Sequence, residues 1–135
     1  MSHTYPDFTW LALTGLMTAL MWMPHILRYI AQVGMMTAFL DREAVTDPAP
    51  AWAKRSKRAH INAQLNFGIF AGLLIAAHMA GVNVKSLGTL AMVYFFARLA
   101  HYIVYTFGLP FLRPMFFMVG SFVQAIIAYQ ILITV

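Results

Sequence analysis

Long apolar blocks alternate with short polar ones along this chain. The apolar blocks cover about 8–33, 52–80, 87–107 and 115–133. Each approaches or exceeds the roughly 20 residues that a bilayer core requires of a helix. The pattern predicts an all-α protein, a single domain over 1–135 made of four membrane-spanning helices. Asp7 after Pro6 reads as a helix N-cap. Pro24 should kink the first helix, because its ring removes a hydrogen bond and clashes with the preceding turn. Gly34 ends that helix, and residues 37–50 read as a solvent-exposed loop holding Asp41, Glu43 and Asp47, three of the four acids. GVNVKS and GLPFLRP read as turns, the second carrying Arg113 between Leu112 and Pro114.

Two of the blocks carry polar side chains where lipid-facing residues are expected. The stretch WAKRSKRAHINAQLNFGIF, residues 52–70, begins basic and ends apolar. Arg58, Asn62 and Leu65 fall at i, i+4 and i+7 within it, one stripe of a helix. Arg98, His101 and Tyr105 fall at i, i+3 and i+7 in the third block, again one face. Arginine costs about 2.5–3.5 kcal/mol at the centre of a membrane helix on insertion scales. Such residues mark a site or anchor a helix end at the interface, and the two stripes are expected to face each other. His25 and Arg28 share a face of the first helix. His25 reads as interfacial, while Arg28 reads either as an anchor that snorkels to headgroups or as a ligand contact. His78 reads as a lone interfacial histidine with no metal role.

Composition agrees with the spans. Hydrophobic residues make up 61% of the 135 and charged residues only 10%, against about 25% charged in soluble domains. Mean hydropathy is +0.72. The class is integral membrane protein. No cysteine is present, which excludes disulfides, thiolate metal sites and a cysteine nucleophile; any thiol chemistry must use a thiol brought by a ligand. The net charge of +5 is concentrated in Lys54, Arg55, Lys57 and Arg58. Beside a membrane span such a run is a topology anchor rather than a nucleic-acid patch. The first and third connections carry Arg42, Lys54, Arg55, Lys57, Arg58 and Arg113, the second carries only Lys85, and both termini lack Lys and Arg. The positive-inside rule then places the first and third loops in the cytoplasm and both termini outside. No basic region precedes the first apolar block, so a retained helix is expected rather than a cleaved signal peptide.

Three segments carry a resemblance to a known family. ALMWMPHIL in the first helix, PAWAKRSKRAHINA leading into the second, and ARLAHYIVYTFGLPFLRPMFFMVG over 97–120 resemble the MAPEG proteins, membrane-associated proteins in eicosanoid and glutathione metabolism. The likeness is to bacterial members, which implies a bacterial inner membrane, and it covers nearly the whole chain. It implies a homotrimer of four-helix subunits with glutathione as cosubstrate, bound in clefts between subunits near the cytoplasmic side. Arg58 and Asn62 match the family pattern RxxxNxxE, Arg98 and Tyr105 match glutathione-contacting positions, and His101 falls at a position held by histidine or another polar residue. Arg113 matches the arginine that stabilises the glutathione thiolate. The pattern's glutamate is replaced by Leu65, and neither Gln64 nor Asn66 lies on the same helical stripe to substitute for it.

The chemistry implied is consistent with these residue types. Arg58, Arg98 and Arg28 can pair with glutathione carboxylates, and Asn62 offers a donor and an acceptor to a peptide group. A free thiol has a pKa of about 8.5, and a fixed cation lowers it. Arg113 would supply that cation, and Tyr105 a hydrogen bond to the thiolate. Lowering the thiol by two units needs about 2.7 kcal/mol of preferential thiolate stabilisation. A lipophilic electrophile would enter from the bilayer, for transfer or hydroperoxide reduction. Leu65 supports a second reading, a non-catalytic membrane subunit of the same fold that binds a lipid or a protein partner.

Overall fold

The computed structural model describes residues 4–41 and 48–135. Among them the chain is helical and has no strand. The helices are α1 (Pro6–Leu20), α2 (Met23–Val33), α3 (Met35–Leu40), α4 (Ala51–Met79), α5 (Val84–Phe107) and α6 (Leu112–Thr134). Four stretches are long and apolar enough to cross a membrane: Pro6–Val33, Ala51–Met79, Val84–Phe107 and Leu112–Thr134. The fold is a membrane four-helix bundle. α5 is the most buried of the four and packs on α1, α4 and α6.

The break between α1 and α2 comes at Met21 and Trp22, one turn ahead of Pro24. Proline cannot donate to the carbonyl four residues back, and its ring pushes that carbonyl aside. The Tyr102 hydroxyl, on α5, donates to the Met21 carbonyl over 3.2 Å at this break. Gly34, at φ 86°, separates α2 from α3, a conformation that glycine adopts without a Cβ penalty. Residues 35–40 are therefore helical, not the start of a polar loop. The expectations for Arg42, Glu43 and Asp47 lie outside the described residues.

Two other expectations change. Asp7 does not cap α1: Tyr5 occupies that position, Pro6 starts the helix, and Asp7 is fully buried. Its Oδ2 lies 2.6 Å from His78 Nδ1 on α4. His78 is thus paired rather than alone, and its ring also packs against Phe8, with centroids 4.3 Å apart and planes tilted by 35°. A carboxylate in an apolar bundle is costly unless paired, and the imidazole supplies the partner.

The two ends of the bundle differ in chemistry. Phe70, Leu74 and Ala77 of α4, Leu87, Ala91 and Tyr94 of α5, and Val123 and Ile127 of α6 form the apolar core. Phe70 and Tyr94 stack at 3.8 Å with rings 5° from parallel. These residues occupy the half nearest the α4–α5 turn. The other half, where α4 begins, α5 ends and α6 begins, carries the polar stripes.

Candidate functional site

Arg98 sits on α5 with 3% of its surface exposed. Its Nη2 donates to Asn62 Oδ1 on α4 over 2.5 Å. The two polar stripes therefore meet inside the bundle. Gly120 of α6 makes room for the guanidinium: a Cβ there would lie 3.3 Å from Arg98 Cδ. The guanidinium carbon lies 5.7 Å from the Phe117 ring centre and 6.0 Å from that of Tyr94. Its Nε is buried and has no hydrogen-bond partner among the described residues. The ion pair formed among those residues is Asp7 with His78 at the far end, so no carboxylate neutralises Arg98 among them.

The α5 face continues toward the helix end. His101 is buried, with its ring centre 5.5 Å from Tyr105 and 6.0 Å from Phe117. Tyr105 is half-buried, and the Arg113 guanidinium carbon lies 4.9 Å over its ring, within cation–π range. Asn62, Arg98, His101, Tyr105 and Arg113 thus form one linked strip of side chains from the interior to the surface. Arg113 stands in the first turn of α6, not in a preceding turn. Pro114 is tolerated there, because first-turn amides have no partner within the helix. Arg113 is exposed, and no side chain caps the α6 N-terminus.

Arg58 and Arg28 lie apart from that strip. Arg58 is exposed one turn before Asn62. Arg28 lines a separate cavity between α2, α3 and the start of α4. Leu65 is 69% exposed and shares the outward face with Arg58. Gln64 is exposed, whereas Asn66 is used inside the bundle: its Nδ2 donates to the Asn62 carbonyl at 2.9 Å, and its own carbonyl accepts from Gln124 Nε2 at 3.1 Å.

A family model described as MAPEG family matches residues 8–133. The chain belongs to the MAPEG family. No curated protein matches it. In this MAPEG protein the helix ends around the strip are held by polar struts that the sequence reading did not identify. Arg55 Nε donates to the Thr106 carbonyl at 2.9 Å, tying the start of α4 to the last turn of α5. Ser56, fully buried, lies 2.8 Å from the Tyr102 hydroxyl and 3.4 Å from His25 Nδ1. Donor counting orders this chain. Tyr102 donates to Met21, so Ser56 donates to Tyr102, and His25 donates through Nδ1 to Ser56. His25 is therefore a bonded strut between α2 and α4. Ser56 and Tyr102 carried a signal that could have revealed this, as polar groups on otherwise inward, small-residue faces. Among the described residues no group of three or more His, Asp or Glu side chains is placed to hold a metal ion.

Proposed function

We propose that this MAPEG protein is a glutathione-dependent transferase or peroxidase acting on lipophilic electrophiles. The observation that carries the reading is the unneutralised cation Arg98, joined to Asn62 and connected by aromatic contacts to the exposed Arg113. A buried cation without an acidic partner stabilises an anion placed near it. Glutathione brings two carboxylates and a thiol, and membership of a family generally associated with glutathione favours it as that anion.

In this reading Arg98 attracts the anion through its charge and also orders its neighbour on α4. Its bond fixes the Asn62 side chain, and Asn62 with the exposed Arg58 presents donors to the glutathione backbone and carboxylates. Arg113 supplies the charge beside the sulfur. The thiolate forms when the thiol proton leaves to solvent, and its lone pair attacks the electrophile while a leaving group departs. For a hydroperoxide, the thiolate attacks the distal oxygen, an S–O bond forms as the O–O bond breaks, the alkoxide takes a proton, and a second glutathione converts the resulting sulfenic acid to the disulfide and water. Tyr105 donates its hydroxyl to the thiolate. The uncapped amides at the start of α6 add positive potential at the same place.

The same reading includes assembly as a homotrimer, which would cover the exposed apolar faces of the bundle and let a neighbouring subunit's Arg28 reach the ligand. It also includes a bacterial inner-membrane location, with the first and third connections cytoplasmic. The test is a glutathione titration read by thiolate ultraviolet absorbance, with Arg113→Ala alongside. A saturable signal that the substitution removes supports the reading, and a flat titration at millimolar glutathione overturns it.

A second reading rests on one specific observation. Leu65 faces outward at 69% exposure beside Arg58, where an acid would serve the ligand's amine. A non-catalytic subunit that binds a lipid or a protein partner on this face would have no use for that acid. Tight glutathione binding by the unmodified protein excludes it.

A further inference from the structure

The cavity between α2, α3 and the start of α4 has no part within a single protomer in the strip described above. It has a volume of about 600 Å³, within the range of about 300–1,000 Å³ typical of ligand pockets. Arg28 from α2 and Lys54 and Lys57 from α4 line it, together with His25 and Tyr29. The i, i+3 spacing of the lysines puts both on one wall. No carboxylate lines it among the described residues, and none of the three cations has an ion pair there. Three like charges around one cavity repel one another until an anion joins them.

The remaining lining is apolar, with Ile26 and Ile30 on α2 and Phe39 on α3. α3 itself reads MMTAFL, and its Met35, Met36, Phe39 and Leu40 are all exposed, Leu40 at 79%. Four large exposed apolar side chains on six residues belong in the acyl region just below the headgroups. The cavity thus combines a cationic wall at a membrane-helix end with an apolar wall continuous with a lipid-seated helix. A free inorganic anion would use only the first of these, and a neutral lipid only the second.

We propose that this cavity holds an anionic phospholipid, with its phosphate between Arg28, Lys54 and Lys57 and the first carbons of its chains against Ile26, Ile30 and Phe39. The Arg28 guanidinium binds two phosphate oxygens side by side, and the lysines act as point charges. The bonded His25–Ser56–Tyr102 chain holds the α2 wall against α4, so the cavity persists when empty. The site shares Arg28 with the glutathione reading, whereas Lys54, Lys57 and Phe39 belong to this site alone.

Native mass spectrometry of the full-length protein in neutral detergent tests it, with dioleoyl phosphatidylglycerol or dioleoyl phosphatidylcholine added and no glutathione present. The expected result is one phosphatidylglycerol retained per protomer and no retained phosphatidylcholine. Lys54→Gln with Lys57→Gln should weaken retention about thirtyfold, from the contribution of each lysine near a lipid phosphate. Both lysines are exposed, so the double variant should melt like the parent. Phe39→Ser, which leaves every charge in place, should also lower retention. Equal retention of the two lipids, or undiminished retention by the lysine double variant, overturns the proposal. Displacement of the lipid by inorganic phosphate at equal concentration also overturns it, because the site would then read only the anion. Thiolate absorbance is a separate signal, so failure of the glutathione reading and failure of this site are distinguishable.

Discussion

Arg98 and Asn62 are 36 positions apart in sequence, and their side chains meet at 2.5 Å inside the bundle. This bond joins α5 to α4 where both helices turn from lipid-like to polar. It also gives the buried guanidinium its hydrogen-bonded partner. Asn62→Leu should therefore destabilise the protein by about 2 kcal/mol, the cost of removing a hydrogen bond to a charged group. Adding Arg98→Met should recover part of that loss, because no buried charge is then left unpaired. Thermal melts of the detergent-solubilised variants check both. With Arg98→Met measured alone as well, a double variant destabilised by the sum of the two single effects would show that the pair is not coupled.

Arg113 lies at the surface, so its loss should separate binding chemistry from stability. Arg113→Ala should leave the melting temperature within a degree or two of the parent. At pH 7 the thiolate fraction of bound glutathione should fall about twenty-five-fold, from about three quarters to about 3%, if the arginine lowers the thiol by two units from about 8.5. Turnover at saturating glutathione should fall with it. An unchanged rate would remove Arg113 from the mechanism while leaving the fold intact.

The four-helix class was legible because bilayer thickness sets the block length directly, and an 18-residue apolar run has few other uses. The meeting of Asn62 and Arg98 was legible in outline, since each stood on a polar stripe of its own helix. Asp7 with His78 was not. The two are 71 positions apart, and nothing local to PDF or AHM indicates a partner. Arg113 was misplaced in a turn because Pro114 reads as a helix breaker, although the first turn of a helix accepts proline. α3 is not legible as a helix, because its six residues are too few to show a period and a polar, acidic segment follows directly.

The Asp7–His78 pair makes a prediction at the other end of the molecule. Asp7→Ala should cost about 3 kcal/mol, the lower part of the range for breaking a buried pair. His78→Ala should cost a similar amount, because it leaves the carboxylate alone. Neither should change the glutathione affinity of the folded protein, since the pair lies at the opposite end from Arg113. Parallel melts and titrations check this. A loss of affinity with no loss of stability would contradict the assignment of the pair to structure.

Leu65→Glu tests the outward face. A carboxylate there would lie on the same stripe as Arg58 and Asn62 and could accept from the ligand's amine. Glutathione should bind about tenfold tighter, one charge-assisted hydrogen bond's worth. No change would mean that this face looks away from the ligand. Affinity that appears only in the variant would favour the non-catalytic reading of the parent.

The most direct measurement of the central claim is the glutathione titration of the unmodified protein in detergent, read by thiolate absorbance beside Arg113→Ala. The account predicts a saturable signal in the parent and its near disappearance in the variant, with both proteins equally folded. A parent that shows no thiolate at millimolar glutathione contradicts it.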